Sequence, residues 1–141
     1  MQFMVMRRSD EATEAGRLPA PAVFEDVGYF HEKLAEAGGV GLALGLRPSS
    51  RAVRLKLWPG GESVTDGPFA ETKELIAGFW LIEVSSKQEA IEWMRRCPNP
   101  YGEGRGDIEI RQLFEAEDFG AELTPELREQ EERRREQLAA R

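Results

Sequence analysis

Hydrophobic and polar positions alternate with two different periods along this chain. Between Phe3 and Arg8, Met4 and Met6 fall on one side of an extended segment and Phe3 and Val5 on the other. That pattern predicts a strand with apolar faces on both sides. Ser9 to Ala20 is polar, holds Gly16 and Pro19, and is expected to be a loop. The period then lengthens: Val23, Val27, Phe30 and Leu34 predict a helix from Pro21 to Ala37, with proline in its first turn and Gly38-Gly39 at its end. Alternation returns from Val40 to Leu46, where Leu42, Leu44 and Leu46 oppose Gly41, Ala43 and Gly45. A strand with so bare a face either receives a closely packed neighbour or leaves room for a ligand.

Arg47-Pro48-Ser49-Ser50 turns the chain into a second alternating run, Val53 to Leu57. Pro59-Gly60-Gly61 then predicts a hairpin that returns through Glu62 to Thr65. It delivers the chain to Asp66-Gly67-Pro68-Phe69, a turn in which glycine is expected to supply a positive φ and proline fixes its own. Ile76 to Val84 is apolar on both faces, the mark of a central strand. Ser86 and Glu89 have the spacing of a capping box for a second helix, with Ile91 and Met94 inward and Pro98 as the stop. Ile108 to Phe114 predicts a last strand. The order of elements implies an α+β fold, one largely antiparallel sheet with two helices on one face. Residues 1–115 are expected to form this domain. Residues 116–141 are expected to be a linker and a charged C-terminal helix, with five glutamates and five arginines after Pro125.

Charge and composition narrow the functions. The 141 residues carry 26 acids against 19 Lys and Arg, a net charge of −7. Direct nucleic-acid binding is therefore not expected, because it rests on clustered cations. No apolar run approaches the roughly 18 residues of a membrane span, so no membrane partner is expected. The one cysteine, Cys97, has no intrachain partner, and a reducing, cytoplasmic setting is expected. No metal-ligand spacing and no phosphate-binding glycine loop occurs. Neither a metal nor a cofactor is expected.

Two residues stand out as chemistry. Asp66 sits on a rigid corner, so its carboxylate has a defined direction, suited to acid–base work or to anchoring a ligand. Aspartate also starts turns merely by accepting nearby N–H bonds. His31 is the only histidine and the one side chain expected to titrate near neutral pH unaided. On the helix it falls beside Val27 and Leu34, where a water or carboxylate partner would equally account for it. Gly67, Pro68, Phe69, Glu71 and Lys73 flank Asp66 and are candidates to line a ligand site with it.

Asp66-Gly67-Pro68-Phe69-Ala70-Glu71-Thr72-Lys73-Glu74, with the following Gly78-Phe79-Trp80-Leu81-Ile82, resembles the DGPF-domain branch of the YCII-related proteins. Arg95-Arg96-Cys97-Pro98 continues the likeness, which spans residues 1 to about 115. The resemblance implies a ferredoxin-like sandwich that pairs into a homodimeric α+β barrel. It also implies a ligand-binding or regulatory module linked to sigma-factor-dependent transcription, without DNA contact of its own. The alternative is a small-molecule enzyme using Asp66 in a cleft at the dimer edge. Similar YCII proteins carry a histidine–aspartate pair, but their histidine lies nearer the start of the first helix, where this chain has Val27 and Gly28. That role does not transfer to His31.

Overall fold

The computed structural model describes residues 1–71, 74–99 and 106–139. Its main sheet has four antiparallel strands in the order β2-β5-β1-β6, where β1 is Gln2–Arg8, β2 Val40–Gly45, β5 Ile76–Glu83 and β6 Ile108–Gln112. The hairpin β3 (Val53–Trp58) and β4 (Gly61–Asp66) pairs within itself as a separate two-stranded sheet. The expected order of elements holds, and the sheet does not close into a barrel.

Register fixes which side chains share a face. Phe3 lies opposite Ile82, Val5 opposite Trp80 and Ile110, and Arg7 opposite Gly78 and Ile108. This face is covered by two helices, α2 (Pro21–Glu36) and α3 (Lys87–Met94). Phe30 and Leu34 from α2, and Ala90 and Met94 from α3, join Phe3, Val5 and Ile82 in the core. Phe3, Val5, Leu34 and Ile82 are essentially sealed from water, each contributing about 1.5–3 kcal/mol. On α3 it is Ala90 that reaches the core beside Met94, while Ile91 is only half-buried.

The opposite face corrects one expectation. Met4 and Met6 are only half-buried, and Leu42, Leu44 and Leu46 are exposed, Leu44 at 52%. The first strand is thus covered on one side only, because both helices pack on the same face.

A short helix, α1 (Glu11–Glu14), interrupts the segment expected to be a loop. Asp10 nucleates it: its carboxylate accepts from the Thr13 N–H at 2.8 Å and the Thr13 hydroxyl at 2.8 Å. The cap of α3 also differs in detail. Ser86 accepts from the Glu89 N–H at 3.1 Å, but Glu89 reaches back to the N–H of Ser85, at 2.8 Å. The C-terminal helix α4 (Pro125–Ala139) starts on the Thr124 hydroxyl, which accepts from the Leu127 N–H at 3.3 Å. Among the described residues it adds nothing to the core cluster.

Candidate functional site

The first half of α2 stands off the sheet, and beneath it lies a cavity of about 310 Å³. Its sheet side includes the small residues Ala43 and Gly45 from β2 and Ala77 and Gly78 from β5, beside Trp80 and Arg7. In register, Ala43 faces Trp80 and Gly45 faces Gly78. The bare face of β2 is therefore turned toward α2, and the missing side chains are what leave the space. A Cβ built on Gly45 would meet nothing within 4 Å. From above, Val23, Phe24 and Val27 of α2 close the wall, so two of the four helix-face positions line the cavity and the other two, Phe30 and Leu34, enter the core.

His31 is on the same wall. The Trp80 indole N–H donates to His31 Nε2 at 2.9 Å, and the two rings meet edge to face with centroids 6.5 Å apart. An imidazole that accepts at Nε2 keeps its proton on Nδ1. Burial pushes its pKa below the ordinary 6.5, since desolvation disfavours the charged ring. His31 is accordingly neutral at neutral pH, a donor through Nδ1.

At the end of the cavity nearest β1, Arg7 is buried at 8% exposure and pairs with Asp10 at 3.0 Å and with the Thr13 hydroxyl at 3.4 Å. Burial works to raise the Asp10 carboxyl, but the Thr13 N–H and hydroxyl together with Arg7 outweigh it and hold it below its usual range. Cys97 also borders the cavity, and burial pushes its thiol up to about 11, against an opposing pull from Arg7. At neutral pH it is a protonated, weakly nucleophilic packing residue.

The Asp66–Phe69 corner lies elsewhere. Asp66 ends β4 opposite Val53 and is exposed, and its carboxylate has no hydrogen-bond or ion-pair partner among the described residues. The turn behind it is tightly held. The Gly67 N–H donates to the Ala52 carbonyl at 2.9 Å and the Phe69 N–H to the Ser49 hydroxyl at 3.2 Å. The Gly67–Pro68 peptide is cis, and Gly67 does not have the positive φ expected of it. Glycine is needed there for another reason: a Cβ would lie 1.8 Å from the Ser49 carbonyl oxygen. Arg54 stacks on the Phe69 ring, 4.1 Å from its centroid.

Ser49 in turn donates its hydroxyl to Glu14, which also accepts from the Ser49 N–H at 3.1 Å and from the Ser9 hydroxyl at 2.8 Å. Burial raises the Glu14 carboxyl, yet these three donors together hold it below its ordinary value. One carboxylate thus ties β1, α1 and the Asp66 corner together.

Of the expected site residues, His31 lines the cavity, whereas Asp66, Gly67, Pro68, Phe69 and Glu71 do not. Lys73 lies outside the described residues. The structure does not bring His31 and Asp66 to one site. Arg7, Trp80 and Glu14 were not singled out from the sequence. For Glu14 a signal existed, because Asp10 and Thr13 have the spacing of a helix cap and place Glu14 on the turn that follows. Among the described residues there is no group of side chains suited to hold a metal ion, and no helix is long and apolar enough to cross a membrane.

The profile of the YCII-related domain matches residues 1–117. A protein of Rhizobium meliloti (strain 1021), described as uncharacterized, is 38% identical over 115 residues, covering 80% of this chain and 92% of that protein. With the profile spanning all six strands and the two helices of the sandwich, the chain belongs to the YCII-related domain family.

Proposed function

We propose that this chain is a small-molecule-binding module of the DGPF type, working as a homodimer. The observation that carries the binding role is the cavity under α2: about 310 Å³, bordered by small and aromatic residues, with a neutral His31 fixed by Trp80 on its wall. Binding sites commonly combine such an apolar enclosure with a few oriented polar groups. The dimer draws on the exposed face of the sheet, where Leu42, Leu44, Phe79 and Leu81 share a side with Met4 and Met6. Contiguous apolar faces of this kind are usually covered in solution. A regulatory role beside a sigma factor rests on the resemblance of the Asp66–Glu74 motif alone.

Filling the cavity tests the binding role. Gly45→Leu places a side chain in open space on an edge strand and is expected to fold. Amide shifts of Ala43, Gly45 and Ala77 should respond to a panel of small apolar and aromatic compounds in the native protein. In the filled variant, the responses at Ala43 and Ala77 should be lost. Equal responses in both proteins would place binding outside the cavity.

A second role draws on the exposed carboxylate of Asp66, which has no partner among the described residues and could serve as acid, base or anchor. That role requires a pocket at the Asp66 corner, built with a partner copy at the dimer edge. Asp66→Asn separates it from the first: an amide cannot exchange the proton, so any turnover should fall by roughly 10²-fold or more.

A further inference from the structure

Accepting the cavity as a binding site, we infer that it selects an uncharged, one- or two-ring aromatic molecule carrying a hydrogen-bond acceptor for His31. Size is the first constraint. A cavity of ~150 Å³ lined by apolar side chains takes one benzene ring, so about 310 Å³ suits a bicyclic ligand. Shape and lining agree, because Phe24 and Trp80 offer ring faces and edges while Ala43 and Gly45 leave a flat floor.

Charge is the second constraint. Among the described residues, the one formal charge bordering the cavity is Arg7, and Asp10 answers it at 3.0 Å. That pair is neutral. A carboxylate or an ammonium entering here gives up its hydration without gaining an opposite charge, and pays a desolvation penalty that a neutral molecule avoids. Cys97 offers no thiolate for covalent capture, its thiol being protonated at neutral pH.

His31 supplies the third constraint. Its Nε2 is occupied by the Trp80 indole at 2.9 Å, which leaves Nδ1–H as the donor on a ring that lines the cavity. Among the described residues no buried side-chain polar atom lacks a partner, so this N–H, which has no partner there, is not sealed inside the protein. The Trp80 bond also fixes the ring's orientation, which makes His31 a directional donor. A ketone, ether or phenol oxygen matches it.

A series built on one skeleton tests all three constraints with the full chain: indane, 2-indanone, indane-2-carboxylate and 2-aminoindane, each titrated at pH 7.5 while the Gly45 and Gly78 amides and the Trp80 indole N–H are followed by NMR. The expected order places 2-indanone first, at least about tenfold tighter than either charged analogue and several-fold tighter than indane. In His31→Phe the advantage of 2-indanone over indane should vanish. A charged analogue that binds as tightly as 2-indanone, or an indane that equals it in the native protein, overturns the inference while leaving the cavity as a binding site. If none of the four moves the Gly45 and Gly78 amides, the binding role falls, and the inference with it.

Discussion

The Asp66 corner and the α2 cavity are built in opposite ways. The corner concentrates conspicuous residues, and its backbone and neighbours are bound to one another: Gly67 to Ala52, Phe69 to Ser49, Ser49 to Glu14. The cavity is made by what is missing on the bare face of β2, above all at Gly45, where a Cβ would meet nothing within 4 Å, with chemistry confined to a few polar groups at its rim. Rigidity is spent on the corner and space is left under the helix. A motif rich in turn-formers and charges can thus be accounted for by its work in locking a connection.

The contrast can be broken most severely at Gly67. Gly67→Ala drives a methyl into the Ser49 carbonyl, and the turn must open. A loss of about 3 kcal/mol or more is expected in urea denaturation; a change under ~1 kcal/mol would show that the corner is not clamped in solution. Glu14→Ala removes the acceptor of three hydrogen bonds and should lower stability by about 2 kcal/mol. The Glu14 carboxyl is held below its ordinary 4.5, so its contribution is present above that pH and is lost as acid titrates through the folded value. The native protein and the variant should therefore converge in stability in acid, and parallel pH curves would assign the effect to packing.

On the cavity side, His31→Phe strands the Trp80 N–H and should lower stability by about 1 kcal/mol at pH 8. Because burial lowers the His31 pKa below 6.5, the unfolded chain takes up the proton first as pH falls. The stability that neutral His31 provides is complete above 6.5 and is lost as pH falls through the folded value. An NMR titration of the imidazole that gives a pKa above 6.5 would reverse this sign. The smallest effect is expected at Asp66. Because Asp66 is exposed and has no side-chain partner among the described residues, Asp66→Asn should change stability by less than ~0.5 kcal/mol and leave 2-indanone binding unchanged. Weakened binding would make the corner part of the site.

Much of the fold was legible because its signals are local. The alternation of Leu42, Leu44 and Leu46, the helical spacing of Phe30 and Leu34, and the Pro59-Gly60-Gly61 turn each act within a few residues. The one-turn helix α1 was not, because four residues carry no period and its cap alone announces it. The cavity was half legible. The bare face of β2 was plain, but whether a neighbour fills such a face depends on how far α2 stands from the sheet. His31 was picked for its titration, while the partner that sets its tautomer lies 49 residues away. Gly67 was marked as special for the wrong reason: its constraint is a carbonyl 18 residues earlier in the chain, not its own φ.

The β3-β4 hairpin has a consequence in exchange kinetics. Its strands pair only with each other, and Val53, Leu55, Leu57 and Val64 present an uncovered ribbon, Leu57 at 71% exposure. Two-stranded hairpins are marginal by themselves, so this arm takes its order from the clasp at its base, the Gly67–Ala52 bond and the Arg54–Phe69 stack. In the isolated chain its amides open by local fraying, far below the free energy that protects β5 between two neighbours. Amide protons of the arm should then trade with deuterium within the earliest time points, long before those of Phe79 and Leu81. Their slowing as protein concentration rises would register the moment at which another surface comes to rest on that ribbon.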